Sequence, residues 1–212
     1  MTGQAPPIVS HMKLATWAGD LARRLLEEPL PRRWAHTQGV AARATSLRPI
    51  LGLDADLVTA AAWLHDIGYA PALVDTGFHP LDGARYLRDV EHADERLCRL
   101  VAHHTCAQVE AEQRGLGDEL VAEFAPEKDR LTEALIYCDM TTSPDGERLD
   151  VNERLDEILS RYGSDHLVAR SITAAAPCIR SAVGNVRAAL ADVDAGVVCG
   201  PAAGEIRGVR DS

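Results

Sequence analysis

The sequence predicts an all-α protein built as one compact helical domain. Hydrophobic residues make up 46% of the 212 positions, whereas aromatic residues make up only 4%. The core must therefore consist mainly of Ala, Leu, Val and Ile. Apolar residues recur at helical spacing, and no segment keeps the two-residue alternation of a β-strand. Neither an internal repeat nor an interdomain linker interrupts this pattern.

The helical domain is expected to cover residues 13–192. Residues 1–12 contain two adjacent prolines, and we predict a disordered lead-in there. Residues 193–212 are expected to form a peripheral tail.

Prolines separate the first two predicted helices. A helix over 12–28 is expected to stop at Pro29 and Pro31, because proline interrupts an α-helix. A second helix over 32–47 is expected to end before Pro49.

The next two helices are predicted from capping residues and proline. Asp54 is the expected N-cap of a helix over 55–66, and Gly68 is its expected C-terminal cap. A loop over 69–78 follows. A proline then occupies the first position of a helix over 80–90, where its missing N–H is harmless.

The second half of the domain is expected to be helical as well. Its helices are predicted over 94–104, in parts of 110–124, and over 129–140, 151–162 and 165–190. Glycines interrupt the second of these segments, and Asp129 caps the third. A turn over 143–146 precedes the last two helices, and Pro177 is expected to break or kink the final one.

The charge and the cysteines exclude several classes of protein. A formal net charge of −10 argues against an extended nucleic-acid surface and against a polybasic membrane contact. It leaves room for a small anionic substrate in a local positive pocket. Five cysteines at irregular spacing predict reduced thiols, and no signal peptide or apolar run of membrane length is present. We therefore expect a cytoplasmic protein; its oligomeric state cannot be read from the sequence.

Two ionisable residues lie on apolar stripes of predicted helices. His36 shares its stripe with Val40 and Ala44, and Asp139 follows Leu135 at a step of four. Both side chains are therefore expected to point towards the core. Taken singly, each could be a core polar group that has found a hydrogen-bond partner.

The adjacent pair His65 and Asp66 lies in the apolar stretch AWLHDIGY. A buried carboxylate is unfavourable unless it is paired or bound to a metal. Together with His36 and Asp139, this pair would give two imidazole nitrogens and two carboxylates. Such a donor set suits a divalent ion and leaves positions open for water and substrate.

The order of these residues resembles the HD-domain metal-dependent phosphohydrolase superfamily. His36 comes first, His65 and Asp66 follow within an HDIG sequence, and Asp139 comes last. The resemblance extends over 34–162. It implies an HD-domain helical bundle in which these four residues hold the metal.

Three further histidines resemble those of two-metal members, and the pattern is closest to YqeK-like proteins. In that pattern Asp66 bridges two ions, while His79 and one or both of His103 and His104 hold the second. Adjacent residues on a helix point about 100° apart, so both need not reach the same ion. His79 could alternatively serve only as a helix cap. The pattern also resembles HD-GYP phosphodiesterases, but these require a Gly-Tyr-Pro loop after the paired histidines. Thr105 follows the histidines here, so that signature is absent.

The resemblance implies a metal-dependent phosphohydrolase that acts on a nucleotide or related small molecule. Metal-activated water would cleave its phosphoester or phosphoanhydride bond. The expected cofactor is one or two divalent ions, which could be Fe, Mn, Ni, Zn or Mg. Asp66 is the expected bridging or water-orienting carboxylate. His104 or His103 would contact phosphate or donate a proton if only one ion binds.

Candidate substrate contacts and two other functions complete the expectations. Arg85 and Arg148 are candidates for binding phosphate, although each could instead be a solvated surface charge. The same ligand types would also suit a two-iron oxygenase that acts on a small organic substrate. A third alternative is a non-catalytic module that binds a nucleotide and a metal.

Overall fold

A computed structural model describes residues 11–127 and 129–196 of the chain. The protein is all-α, as predicted, and the described residues contain no β-strand beyond one isolated bridge between Thr142 and Arg148. The helices are α1 (His11–Leu26), α2 (Pro31–Ser46), α3 (Arg48–Leu51), α4 (Ala55–Leu64), α5 (His79–Asp89), α6 (Glu95–Ala102), α7 (Ala107–Arg114), α8 (Gly117–Glu123), α9 (Arg130–Met140), α10 (Val151–Tyr162) and α11 (Leu167–Asp194). Short 3-10 turns span Gly52–Asp54, Ile67–Tyr69 and His104–Cys106.

Several helix boundaries differ from the predicted ones. Pro31 begins α2 and does not end α1, because proline is well accommodated in the first turn of a helix. Asp54 precedes α4, but its carboxylate caps no backbone N–H and instead accepts a hydrogen bond from Arg130. The final helix α11 continues through Pro177, since its buried apolar face packs against α9 and α10. Asp129 caps α9 as predicted, accepting from the backbone N–H groups of Leu131 and Thr132.

The predicted terminal segments lie mostly outside the described residues. The last two residues of the 1–12 segment belong to α1. Of the 193–212 segment, the first two residues end α11, and the description stops at residue 196. None of the described helices is both long and apolar enough to cross a membrane.

The largest part of the core surrounds α4. This helix packs against α1, α2, α6 and α9. Its consecutive residues Ala60, Ala61 and Ala62 are all fully buried, and their small side chains allow the neighbouring helices to approach closely. A second apolar cluster joins α9, α10 and α11 around Ile136, Met140 and Ile179. The C-terminal end of α4 is therefore held in a closely packed environment by the neighbouring helices.

Gly68 holds the turn after α4 tightly against α5. It lies in the Ile67–Tyr69 turn and is not one of the glycines with positive φ, so the predicted C-terminal cap is wrong. A Cβ at this position would lie 2.0 Å from the carbonyl oxygen of His79 and 2.8 Å from the backbone nitrogen of Gly83. Glycine is thus required for the close approach of two backbones, and this approach places His79 beside the end of α4.

A second close contact presses the turn after α9 onto α2. The predicted turn over 143–146 is present, and the Gly146 N–H donates to the Ser143 carbonyl at 3.0 Å. A Cβ on Gly39 of α2 would lie 2.3 Å from the carbonyl oxygen of Gly146. The absence of side chains on both glycines therefore brings Ser143 next to α2.

The buried carboxylate of Asp82 organises the loop that leads into α5. It accepts hydrogen bonds from the backbone N–H groups of Asp75 (3.2 Å), Thr76 (3.0 Å) and Gly77 (3.2 Å). The Thr76 hydroxyl donates to it as well, at 2.7 Å. The loop is thereby fixed two residues before His79.

We expect Asp82→Asn to destabilise the protein by about 1–3 kcal/mol, because an amide NH₂ would face backbone N–H donors. The corresponding fall in Tm is about 5 °C for a chain of this size. Thermal unfolding measures the effect. Asp89→Asn is the matched control, since Asp89 lies on the same helix and makes only an exposed pair with Arg88. Equal stability of the two variants would contradict this role of Asp82.

Candidate metal centre

Six of the predicted ligand residues lie together between α2, α4, α5, α6 and α9. They are His36 on α2, His65 and Asp66 after α4, His79 at the start of α5, His104 after α6, and Asp139 on α9. All are buried except His79, which is half-buried. We refer to these six residues as the His/Asp cluster.

Asp66 is shared by two groups of candidate ligand atoms within the cluster. One group contains His36 and His65, and the other contains His79 and His104; in each group the atoms lie within 4.8 Å of one another. The Asp66 Oδ2 atom is 3.3 Å from His65 Nε2, whereas its Oδ1 atom is 3.3 Å from His79 Nε2. The two oxygens of one carboxylate thus face different histidines.

Asp139 lies against the first of these groups. Its Oδ1 atom is 3.0 Å from His36 Nε2 and 4.0 Å from His65 Nε2. Its Oδ2 atom accepts a hydrogen bond from the hydroxyl of Thr105. Asp139 Oδ1 therefore faces the histidines of the cluster, whereas Oδ2 is hydrogen-bonded to a residue outside it.

Three imidazoles are oriented by the backbone in the same way. Each has Nδ1 within hydrogen-bonding distance of a backbone carbonyl oxygen: His36 with Ser143 (2.9 Å), His65 with Ala62 (2.8 Å) and His104 with Val101 (2.6 Å). Because a carbonyl oxygen can only accept, Nδ1 must carry the proton in each case. In the neutral imidazole, Nε2 then presents a lone pair to the cluster, as a metal-binding histidine requires.

His36 Nε2 lies 3.0 Å from Asp139 Oδ1, but the other three Nε2 atoms inside the cluster are poorly partnered. His65 Nε2 is buried without a hydrogen-bond partner. His79 Nε2 and His104 Nε2 lie 3.1 Å apart, and two lone pairs at that distance repel each other unless a proton or cation lies between them. Burial lowers the pKa of His104 to about 3, so this residue is a neutral donor at neutral pH. The donor set therefore fits divalent cations.

Neighbouring positive charges lower the pKa values of the two carboxylates in the cluster. Burial alone would raise the pKa of Asp66, but the charges of Arg33 and His65 hold it well below its usual range. Burial likewise opposes ionisation of Asp139, while hydrogen bonding to His36 and the charge of His65 lower its pKa. For His65, burial is the largest single effect and lowers the pKa, but the charges of Asp66 and Asp139 together with hydrogen bonding raise it overall. A proton and a metal ion would compete for the same nitrogen.

Arg33 is part of this site, although the sequence analysis did not single it out. Its Nη1 atom donates to Asp66 Oδ2 at 2.6 Å, and its guanidinium lies 4.0 Å from the centre of the Tyr69 ring. The Tyr69 ring in turn stacks on His79, with ring centroids 3.9 Å apart. Arg33 and Tyr69 thus orient both Asp66 and His79. The sequence did contain a signal for Arg33, because this residue lies three positions before His36 and therefore on the same face of the helix.

The chain turns sharply where the two adjacent histidines separate. Helix α6 ends at Ala102, and Thr105 and Cys106 both have positive φ, 52° and 57°. Such a conformation is strained for a β-branched residue. His104 enters the cluster, whereas His103 Nε2 donates to the Phe124 carbonyl at 2.6 Å. His103 is therefore outside both ligand groups, in contrast to the expectation that it could hold the second ion.

The two arginines that were candidates for binding phosphate lie elsewhere. Arg85 pairs with the carboxylates of Glu119 and Glu123. Arg148 is exposed and opposes Thr142 in the isolated bridge. Neither residue lines the cavities beside the cluster, because helix α8 and the turn after α9 hold them at other surfaces.

Two cavities adjoin the His/Asp cluster. The cluster cavity encloses about 710 Å³, including its open mouth, and its lining includes Asp66, His79, His104 and Asp139. Largely apolar side chains from α7, α9, α10 and α11 also line it; they include Val109, Met140, Ile158, Tyr162 and Ile172. The proline cavity, of about 690 Å³, is lined by His36 and by Pro29, Pro31 and Pro144.

The helical fold and the buried cluster define an all-α protein whose clustered histidines and aspartates could hold divalent ions. The family model of the HD domain matches residues 33–141, just over half of the chain, and the chain therefore belongs to the HD domain family. No curated protein and no solved structure matched in the other two comparisons. The matched range contains all six cluster residues and ends before α10 and α11.

Proposed function

We propose that the protein is a metal-dependent phosphohydrolase of the HDIG type, which cleaves a phosphoester or phosphoanhydride bond of a nucleotide or related small molecule. The observation that carries this proposal is the position of Asp66 between two groups of histidines. A shared carboxylate with nitrogen donors on both sides supports a pair of ions, as in the YqeK-like two-metal pattern.

We assign one ion to His36, His65, Asp66 and Asp139, and a second to Asp66, His79 and His104. The backbone hydrogen bonds that fix Nδ1 of three of the histidines support this assignment. The mixture of imidazole and carboxylate donors favours Mn, Fe, Ni or Zn over Mg, which prefers oxygen ligands.

The protein's own residues supply orientation and charge for hydrolysis. Divalent cations, when bound, lower the pKa of a coordinated water and neutralise charge on phosphoryl oxygens. Asp66 stays ionised beside Arg33 and can accept a hydrogen bond from the attacking water. Arg33 also places a positive charge next to the reacting phosphate. His104 has Nδ1 committed to Val101 and Nε2 directed at the cluster, so we assign it to ion binding and not to proton donation.

The walls of the cluster cavity support a substrate with an organic part. Apolar side chains of α10 and α11 line the same cavity as four residues of the cluster. They would exclude water from the reacting group and pack against a base or another flat group.

Metal analysis of the purified protein, followed by a phosphoester and nucleotide panel, tests the proposal. We expect up to two transition ions per chain, and phosphate release that is lost after chelation and restored by Mn, Ni or Fe. Two results would contradict it. One is iron-dependent oxygen consumption with an organic substrate and no phosphate release. The other is tight nucleotide binding without turnover under any of the metals.

A further inference from the structure

Three arginines lie at the boundary between the two cavities. Arg33 from α2 and Arg154 and Arg161 from α10 line both the cluster cavity and the proline cavity. Arg33 reaches Asp66 directly. The three side chains therefore connect the His/Asp cluster with the proline cavity.

Arg154 is unusual because it is buried and incompletely paired. The residue is only 5% exposed, and its Nη1 atom donates to Glu157 Oε2 at 2.5 Å. Its Nε atom is buried and has no hydrogen-bond partner among the residues that the structure describes. An unsatisfied buried guanidinium nitrogen is unfavourable unless a ligand provides an acceptor.

Arg33 is paired with Asp66, but the carboxylate of Glu157 does not neutralise both Arg154 and Arg161. Arg161 also donates to Glu157, through Nε at 3.0 Å, so Arg154 and Arg161 share a single carboxylate. Glu110, on the wall of the cluster cavity, already pairs with Arg114 at 2.7 Å. The pair Arg154 and Arg161 thus keeps excess positive charge in a chain whose formal net charge is −10.

We propose that Arg154 and Arg161 bind a second anionic group of the substrate, apart from the group that reacts beside Asp66 and Arg33. The inference rests on the proposed phosphohydrolase function. A phosphate or a carboxylate would satisfy the chemistry, because guanidinium groups bind both through paired, charge-assisted hydrogen bonds. The second anionic group would then lie at the arginines of α10, and the apolar part of the substrate against Ile158 of α10 and Ile172 of α11.

The experiment measures binding of small anions to the metal-loaded, full-length protein by calorimetry. Inorganic phosphate is the probe with one anionic group. Methylenediphosphonate adds a second phosphate-like group, and phosphonoacetate adds a carboxylate at the same spacing. If the loss of an arginine weakens the binding of one of these two probes more than the other, that difference identifies which kind of anionic group the subsite prefers.

Arg161→Gln is the main variant, because Arg161 is partly exposed and its loss leaves the core intact. We expect it to weaken the two-group probe about tenfold, as for loss of one charge-assisted hydrogen bond, and to leave inorganic phosphate nearly unchanged. Arg154→Lys keeps the charge but removes the planar fork, and should weaken the same probe. Arg180→Gln is the control, since Arg180 is exposed on α11 and bonds only to Asn152.

Unchanged binding of both two-group probes in both variants would overturn the subsite. Equal weakening of inorganic phosphate and the two-group probes would also overturn it, because the arginines would then act only on the reacting group. Failure of the proposed function would look different. A protein that releases no phosphate from any substrate could still show the calorimetric difference between the probes.

Discussion

Asp66→Asn is expected to remove both metal ions and to lower kcat for phosphate release by at least about a thousandfold, or roughly 4 kcal/mol of transition-state stabilisation. The physical reason is that Asp66 is the single residue shared by both groups of ligand atoms. Its loss also leaves the Arg33 guanidinium without its carboxylate partner. Both ion positions should therefore fail together.

Metal content and steady-state kinetics measure the effect on the same preparation. Asp56→Asn is the matched control, because Asp56 lies on α4, is largely buried and pairs with Arg48 away from the cluster. This control should keep its metal and its turnover. If Asp66→Asn retained two ions and wild-type turnover, the bridging role of Asp66 would be wrong.

Gly68→Ala is expected to destabilise the protein by about 3 kcal/mol, which corresponds to a fall in Tm on the order of 10 °C. The added Cβ would lie 2.0 Å from the carbonyl oxygen of His79, so the start of α5 must move away. His79 would move with it, and the ion assigned to Asp66, His79 and His104 should be lost. The ion assigned to His36 and His65 should remain.

Gly184→Ala makes the same chemical change where there is space. Gly184 is exposed on α11, and a Cβ there would have no neighbour within 4 Å. Alanine is the better helix former, so this control should stabilise the protein by about 0.5–1 kcal/mol. Thermal unfolding of the two variants should therefore shift in opposite directions. Equal shifts would show that Gly68 does not hold the turn against α5.

Helical periodicity was enough to predict that His36 and Asp139 point inwards. The spacing of apolar residues on one helix decides which face is buried, and both side chains lie where that spacing predicts. The pair His65 and Asp66 could be recognised because a carboxylate in an apolar run needs a partner. The roles of these residues as metal ligands remain predictions.

Features that depend on contacts between distant segments could not be predicted. Gly68 follows a helix, so the local sequence indicated a C-terminal cap. Glycine is required there for a different reason, because the backbone of α5 packs directly against it. His103 and His104 differ only because the chain leaves the helical conformation after Ala102. Nothing local indicated that Arg154, far along the chain, reaches the cavity beside the cluster.

The wall contributed by α10 and α11 has a consequence for how substrate preference can diverge. These helices lie beyond the matched range 33–141, whereas every residue of the His/Asp cluster lies within it. Mutations at positions such as Ile158 or Ile172 can reshape the cavity without touching an ion-binding atom. Substitutions in these two helices can therefore change which ligand the cavity accepts while the His/Asp cluster stays the same.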